Sequence, residues 1–211
     1  MTYTQFKNRL QKLPIISVRQ FFDIGQHVQV IRNQLNRWQK KGLVIKLKKG
    51  LYVLNENDRK IHPSRIFLAN AIYSPSYVST EYVLGYYDLI PEKVQDVTCI
   101  TTKKTAKFTN AFGTFVYQHV KTELFFGFKE IQDENKLPVL IAEPEKAMLD
   151  FIYLNLSNFK NKNKDVFTES YRFQNLGLLK RKKLIEYARR YNNKAVLNIV
   201  EKLLEFVKES A

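Results

Sequence analysis

Between Arg37 and Leu54 the chain changes its hydrophobic period, and no other feature constrains the fold as strongly. The stretch reads RWQKKGLVIKLKKGLYVL. Before it, Val28, Ile31, Leu35 and Trp38 recur at intervals of three and four, the stripe of a helix over 28–41. Gly42 stops that helix, with Lys40 and Lys41 in the last turn, where cations suit the helix dipole. Leu43, Ile45 and Leu47 then alternate with Val44, Lys46 and Lys48, which predicts a strand with the first three on one face. Lys49-Gly50 makes a turn, and Leu51-Tyr52-Val53-Leu54 is the return strand.

Two shorter segments precede this unit. Phe6, Leu10 and Leu13 lie on one face of a helix over 3–13 that Pro14 ends. Ser17 suits the N-cap of a short helix over 18–23 with Phe21 and Phe22 turned inward, and Gly25 supplies the following turn. Three helices and then a basic hairpin is the order of a winged helix-turn-helix. In that arrangement the third helix enters a DNA major groove. Gln29, Asn33 and Arg37 would face the bases, and Arg32, Asn36, Lys40, Lys46, Lys48 and Lys49 would face phosphates. Taken singly, each feature has a plainer origin. Polar helix faces are ordinarily solvated, and a lysine-rich hairpin is ordinarily a soluble sheet edge. The argument for DNA is their combination in one order.

Charge supports the same reading. The chain has 211 residues, 35 Lys and Arg against 20 Asp and Glu, a net charge of +15. Residues 1–58 carry a net +8, residues 59–158 carry zero, and residues 159–211 carry +7. Two basic ends around a neutral middle predict three parts and a polyanionic partner. They are a DNA-binding domain over 1–58, a mixed α/β domain over 65–158 after a polar linker at 59–64, and a basic helical segment over 159–211 packing on the middle domain. The expected class is therefore α+β: an N-terminal winged helix-turn-helix, a small mixed α/β domain and a C-terminal helical segment. The one cysteine, Cys99, excludes an internal disulfide or a multi-cysteine zinc site. No apolar run approaches the roughly 18 residues of a membrane span. The first residues, MTYTQFKNRLQKL, form an amphipathic helix pattern and not a signal peptide, so a cytoplasmic protein without a membrane partner is expected.

In the middle, Ser64 caps a helix over 65–72, and Ser79 or Thr80 caps another over 80–88. Strands are expected at 97–102, 112–120, 124–128 and 139–142, then a helix at 144–156. Pro144 suits its first position, and Glu143 and Glu145 suit the positive end of its dipole. Thr101-Thr102-Lys103-Lys104 admits a phosphate or partner contact but reads first as a solvated strand end. Further on, FKNKNKD reads as a charged loop, and helices are expected at 181–191 and 194–207. Lys180, Arg181, Lys182, Lys183, Arg189 and Arg190 make a cluster that reads equally as a second phosphate-contacting patch, a docking surface or a solvated helix face.

Four blocks of the middle segment, YVSTEYVLGYYDLIPE, TCITTKKTAKF, FGTFVYQHVKTELFFG and LIAEPEKAMLDFIYL, together with RWQKKGLVIKLKKGLYVL, resemble the AbiEi-type antitoxins of abortive-infection systems, over about residues 5–156. The resemblance implies an N-terminal winged helix-turn-helix that binds the protein's own promoter, at inverted repeats, and represses the operon. It also implies a partner toxin resembling a nucleotidyltransferase, counteracted functionally and not necessarily by stable binding, through the part after the DNA-binding domain.

Against an enzyme, the sequence contains no GxxxxGK[ST], HExxH or GxSxG and no cluster of Cys and His. A nucleotidyltransferase needs a Gly-Ser turn followed by close acidic ligands, and the acids at Asp133-Glu134 and over 165–169 do not have that setting. The expectation is a non-enzyme with no catalytic or metal-binding residues and no cofactor. The alternatives are a DNA-binding regulator or interaction module without a toxin partner, and a nucleic-acid-processing enzyme.

Overall fold

Helix α1 (Tyr3–Leu10) opens on a reciprocal cap, in which Gln5 N donates to Thr2 Oγ1 and Thr2 N donates to Gln5 Oε1. The computed structural model describes residues 1–24, 28–159 and 166–209. After α1 come strand β1 (Ile16–Ser17), a 3-10 turn (Val18–Ile24), helix α2 (Val28–Lys40), and a hairpin of β2 (Val44–Lys48) and β3 (Leu51–Leu54). These strands form an antiparallel sheet in the order β1-β3-β2. Phe6, Ile31, Leu35, Trp38, Val44 and Leu54 meet in its core.

The rest is a larger α+β unit. Helix α3 (Arg65–Ile72), strand β4 (Ser76–Val78) and helix α4 (Thr80–Tyr86) are followed by β5 (Val97–Thr101), β6 (Ala106–Asn110), β7 (Gly113–His119), β8 (Phe128–Gln132) and β9 (Pro138–Ala142). The mixed sheet runs β6-β7-β5-β4-β9-β8, with β5/β7 and β4/β9 parallel. Tyr77 pairs with Ile100, and Cys99 pairs with Tyr117. Neighbouring residues on a strand face opposite ways, so Tyr77 and Tyr117 point to opposite faces. On one face Tyr117 donates to Ala69 O of α3 at 2.6 Å; on the other Tyr77 reaches α5 (Pro144–Leu154). Helices α6 (Leu156–Phe159), α7 (Arg181–Arg190) and α8 (Lys194–Glu209) complete the chain, with α7 and α8 packed on α5. Among the described residues no helix is long and apolar enough to cross a membrane.

Several elements depart from their sequence patterns. Helix α1 stops at Leu10, not Leu13. The residue before a proline is steered away from helical backbone, and the Gln11 carbonyl instead accepts Lys60 N–H at 2.8 Å. Leu13 is consequently left exposed. The segment expected as a short α-helix is a 3-10 turn, with Arg19 N donating to Ser17 Oγ. The expectations for Phe22 facing inward and for Gly25 fall outside what is described. The strand expected at 124–128 does not form. Residues 122–124 make a 3-10 turn, Gly127 adopts φ +72°, and the strand begins only at Phe128. A Cβ on residue 127 would stand 2.9 Å from the Tyr187 ring and 3.0 Å from Lys146 Cγ, so the close packing needs glycine there. Strands β4 and β6 had no distinct pattern in the sequence.

The hairpin departs most informatively. A bulge between Lys46 and Lys48 shifts the register against β3, so that Lys46 pairs with Tyr52 and Lys48 with Leu51. Val44, Tyr52 and Leu54 enter the N-terminal core, whereas Leu47, Leu51 and Val53 enter the large one. Strand β2 covers the β6 edge, where Asn110 Nδ2 donates to Leu47 O at 3.2 Å. The two sides of one hairpin thus belong to two cores, and an excised fragment 1–58 would expose Leu47, Leu51 and Val53. Trp38, the only tryptophan, reports the N-terminal core. Its fluorescence and the far-UV circular dichroism should therefore give coincident urea transitions. Leu47→Ala should shift both together, by about 2–5 kcal/mol. A fluorescence transition well ahead of the dichroism would show that the cores unfold separately.

Candidate nucleic-acid interface

Helix α2 buries Ile31, Leu35 and Trp38, and the Trp38 ring lies 4.6 Å from that of Phe6. Fixing that stripe inward turns the opposite side out. Gln29, Arg32, Asn33, Asn36, Arg37 and Lys40 are all exposed on α2. Gln29 Nε2 donates to Asn33 Oδ1 at 3.1 Å, so two amides one turn apart are held together.

Beside this face lies a groove of about 770 Å3. Arg32 and Asn36 of α2 form one wall, and Lys46, Lys48 and Lys49 of the hairpin form another. Arg19 from the 3-10 turn and Lys103 from the turn between β5 and β6 complete it. Among the described residues no carboxylate lines it. The crowding is felt at Lys48, whose ammonium is held below its ordinary pKa by burial first, then by the charges of Lys103 and Arg19. The hairpin turn is positioned by Val18 N–H donating to Gly50 O at 3.0 Å, with Gly50 at φ +81°. Five of the residues singled out by sequence therefore share one concavity: Arg32, Asn36, Lys46, Lys48 and Lys49. Gln29, Asn33, Arg37 and Lys40 lie on the outward side of α2 and do not line it. Arg19 carried no expectation, and Lys103 only that of a strand end admitting a phosphate contact. Neither sequence neighbourhood places its residue in a groove, because the groove exists only once the hairpin docks on β6.

Of the C-terminal cations, Lys180, Arg181, Lys182 and Lys183 line one shallow concavity with Glu186 and Tyr187, and Arg189 and Arg190 do not line it. Lys183 Nζ lies 2.7 Å from Glu143 Oε1, and Tyr187 OH donates to Glu143 Oε2 at 2.7 Å. The Arg190 guanidinium stacks 3.5 Å over the Phe126 ring. Arg181 and Arg189 line a groove between α7 and α8 that Glu201 also lines. Lys180 and Lys182 are exposed on α7 and the residue before it. Glu143, expected to cap α5, is the N-cap by backbone only; its carboxylate is taken by α7. Glu145 likewise accepts Lys180 N–H, at 2.9 Å. Ser79 makes no side-chain cap on α4 because its hydroxyl donates to Asp150 Oδ2 at 2.8 Å.

That last bond belongs to a buried polar cluster that sequence reading missed. Lys146 and Asp150, one turn apart on α5, form an ion pair with both side chains fully buried. Lys146 Nζ also donates to Tyr191 OH at 2.6 Å, and its ammonium lies 4.8 Å from the Phe126 and Tyr191 ring centres. Asp150 accepts from Tyr191 OH at 2.7 Å and Tyr77 OH at 3.0 Å. Burial, and then the Asp150 charge, pushes both phenols well above their ordinary pKa. Burial lowers the Lys146 pKa against the pull of Asp150. The i, i+4 spacing was visible, but on a helix it reads as a surface pair until the neighbouring tyrosines are known. The cluster is closed to solvent and holds α5 against β4 and α7. Among the described residues no group of three or more His, Cys, Asp or Glu is placed to hold a metal. The thiol of Cys99 is buried.

Comparison with protein-family models and with curated proteins gives no match.

Asp150→Ala would leave the Lys146 charge buried without its partner and should cost about 3–5 kcal/mol. The double variant Lys146→Met with Asp150→Leu should cost much less, because no lone charge remains. Chemical denaturation of the wild type and the two variants checks this, and a loss in the double variant as large as in Asp150→Ala would show that the unpaired charge is not the cause.

Proposed function

We propose that residues 1–58 act as a winged helix-turn-helix that binds duplex DNA, and that the protein is a transcriptional repressor of its own operon and an antitoxin of the AbiEi type. The observation that carries DNA binding is the convergence of Arg32, Lys46, Lys48 and Lys49 in one groove without a carboxylate, beside an exposed helix face of amides and guanidinium. Phosphates are recognised by such cations, and base edges by such amides. The element order supports the same reading: helix, short turn, amphipathic helix, hairpin. In this reading α2 enters the major groove, Gln29, Asn33 and Arg37 read bases, and the hairpin lies along phosphates. The antitoxin part rests on the resemblance of the middle blocks, with a nucleotidyltransferase-like toxin as functional partner.

Titration of the protein with its own promoter and with random duplex tests the base-reading face. Alanine at Gln29 or Asn33 should cost about 1–3 kcal/mol on the promoter and little on random DNA. Equal loss on both duplexes would place another face of α2 on the bases.

The triple variant Lys46→Ala, Lys48→Ala, Lys49→Ala should weaken binding to every duplex by a similar factor. Its log–log salt slope should be shallower by up to about 2.7, three contacts at about 0.9 each. In cells the same variant should lose repression while still protecting against the toxin. Loss of protection with intact repression would reverse the division of labour.

A further inference from the structure

Lys103 lies outside the segment whose sequence suggests DNA binding, in a stretch of zero net charge. In the structure it is exposed at the end of β5 and lines the same groove as Arg32, Lys46, Lys48 and Lys49. Its ammonium donates to Ser74 O, which also lines the groove, and lies 5.3 Å from the Tyr73 ring centre. One carbonyl and one ring aim the charge without neutralising it, and two N–H donors remain. Thr101 Oγ1 fixes the turn further: it donates to Pro75 O at 2.7 Å and accepts Lys103 N–H at 3.2 Å. The side chain is therefore held facing other cations, which is unfavourable unless an anion lies between them.

We infer that Lys103 is a phosphate contact, so that the DNA track runs continuously from the hairpin onto the six-stranded unit. The geometry between the two parts is fixed by packing, not by a linker. Leu47, Leu51 and Val53 sit in the large core, and Asn110 holds the Leu47 carbonyl. Lys103 and Lys48 therefore stay on one groove in the unbound protein, and the ordering entropy of a joint is avoided. The electrostatic influence of Lys103 and Arg19 on Lys48 is the expected mark of such a preformed anion site. Lys104, the next residue, is equally exposed but does not line the groove.

The inference rests on duplex DNA being the ligand of this groove, and the test separates the two claims. Full-length protein is titrated with random duplex at several salt concentrations. Lys103→Ala should make the log–log slope shallower by about 0.9, so that its affinity relative to wild type changes about three- to fourfold between 50 and 200 mM salt. Lys103→Arg should restore the slope, Lys104→Ala should leave it unchanged, and promoter preference should not move. Lys103→Gln, which keeps a donor for Ser74 O, serves where the alanine variant fails to fold. A wild-type slope in Lys103→Ala or Lys103→Gln, with a shallower one in the hairpin triple variant, overturns the inference and leaves DNA binding standing. Equal effects of Lys103→Ala and Lys104→Ala overturn it too, since net charge alone would then account for both. Absence of salt-dependent duplex binding by the wild-type chain removes the functional reading and the inference with it.

Discussion

The two-sided burial of the β2–β3 hairpin is the constraint on which the rest of the structure depends. A two-stranded ribbon is marginal in water and needs cover on at least one face. Here Val44, Tyr52 and Leu54 serve one core while Leu47, Leu51 and Val53 serve the other. Alternation makes this possible: Ile45 and Leu47 turn into the large core while Val44 faces the other, and Lys46 and Lys48 of the same strand line the groove. The same docking covers the β6 edge and brings Lys103 opposite the hairpin. Cohesion and cationic surface are thus two results of one register.

The second organising feature is the Lys146–Asp150 cluster. A buried ion pair adds little net stability over an apolar pair of the same volume, because both charges must be desolvated. What it adds is discrimination among packings. Five hydrogen bonds from Tyr77, Ser79, Tyr191 and Lys146 converge on, or link to, one carboxylate. They can be satisfied together only when β4, α5 and the end of α7 are in place. A displaced α7 would remove Tyr191 and leave a buried charge short of partners. The Glu143 contacts to Lys183 and Tyr187 repeat the arrangement nearer the surface.

Strong local signals were legible in the sequence. The 65–72 helix with its Ser64 cap, the α2 stripe and the start of α5 at Pro144 all follow from spacing and capping. Signals that depend on distant partners were not. Alternation put Leu43, Ile45 and Leu47 on one face; Ile45 and Leu47 do share the large core, but Leu43, just before β2, packs on the N-terminal one, and the register shift at Lys46-Leu47-Lys48 has no residue signature. The aromatic run 125–128 looked like a strand because Phe has high strand propensity, but Gly127 follows Phe126 into a turn packed on Lys146. Of the candidate groove, the α2 and hairpin residues were readable because they are local in sequence. Lys103 was readable only as part of a strand end admitting a phosphate contact, because its place in the groove depends on how the hairpin docks. The C-terminal cations were readable as charges but not as partners of Glu143 and Phe126.

The Gln29–Asn33 amide bond sets how a reading helix would behave before it meets its target. One Gln29 N–H and the Asn33 carbonyl oxygen are paired with each other, while Gln29 Oε1 and Asn33 Nδ2 face outward on the exposed helix. If α2 reads DNA as proposed, the pair would stay latched on random duplex while the cations held phosphate, a state that permits sliding. A base edge with matching donor and acceptor would open the latch, exchanging one internal bond for two external ones, and a mismatched edge would give no such return. Discrimination would then come from that exchange.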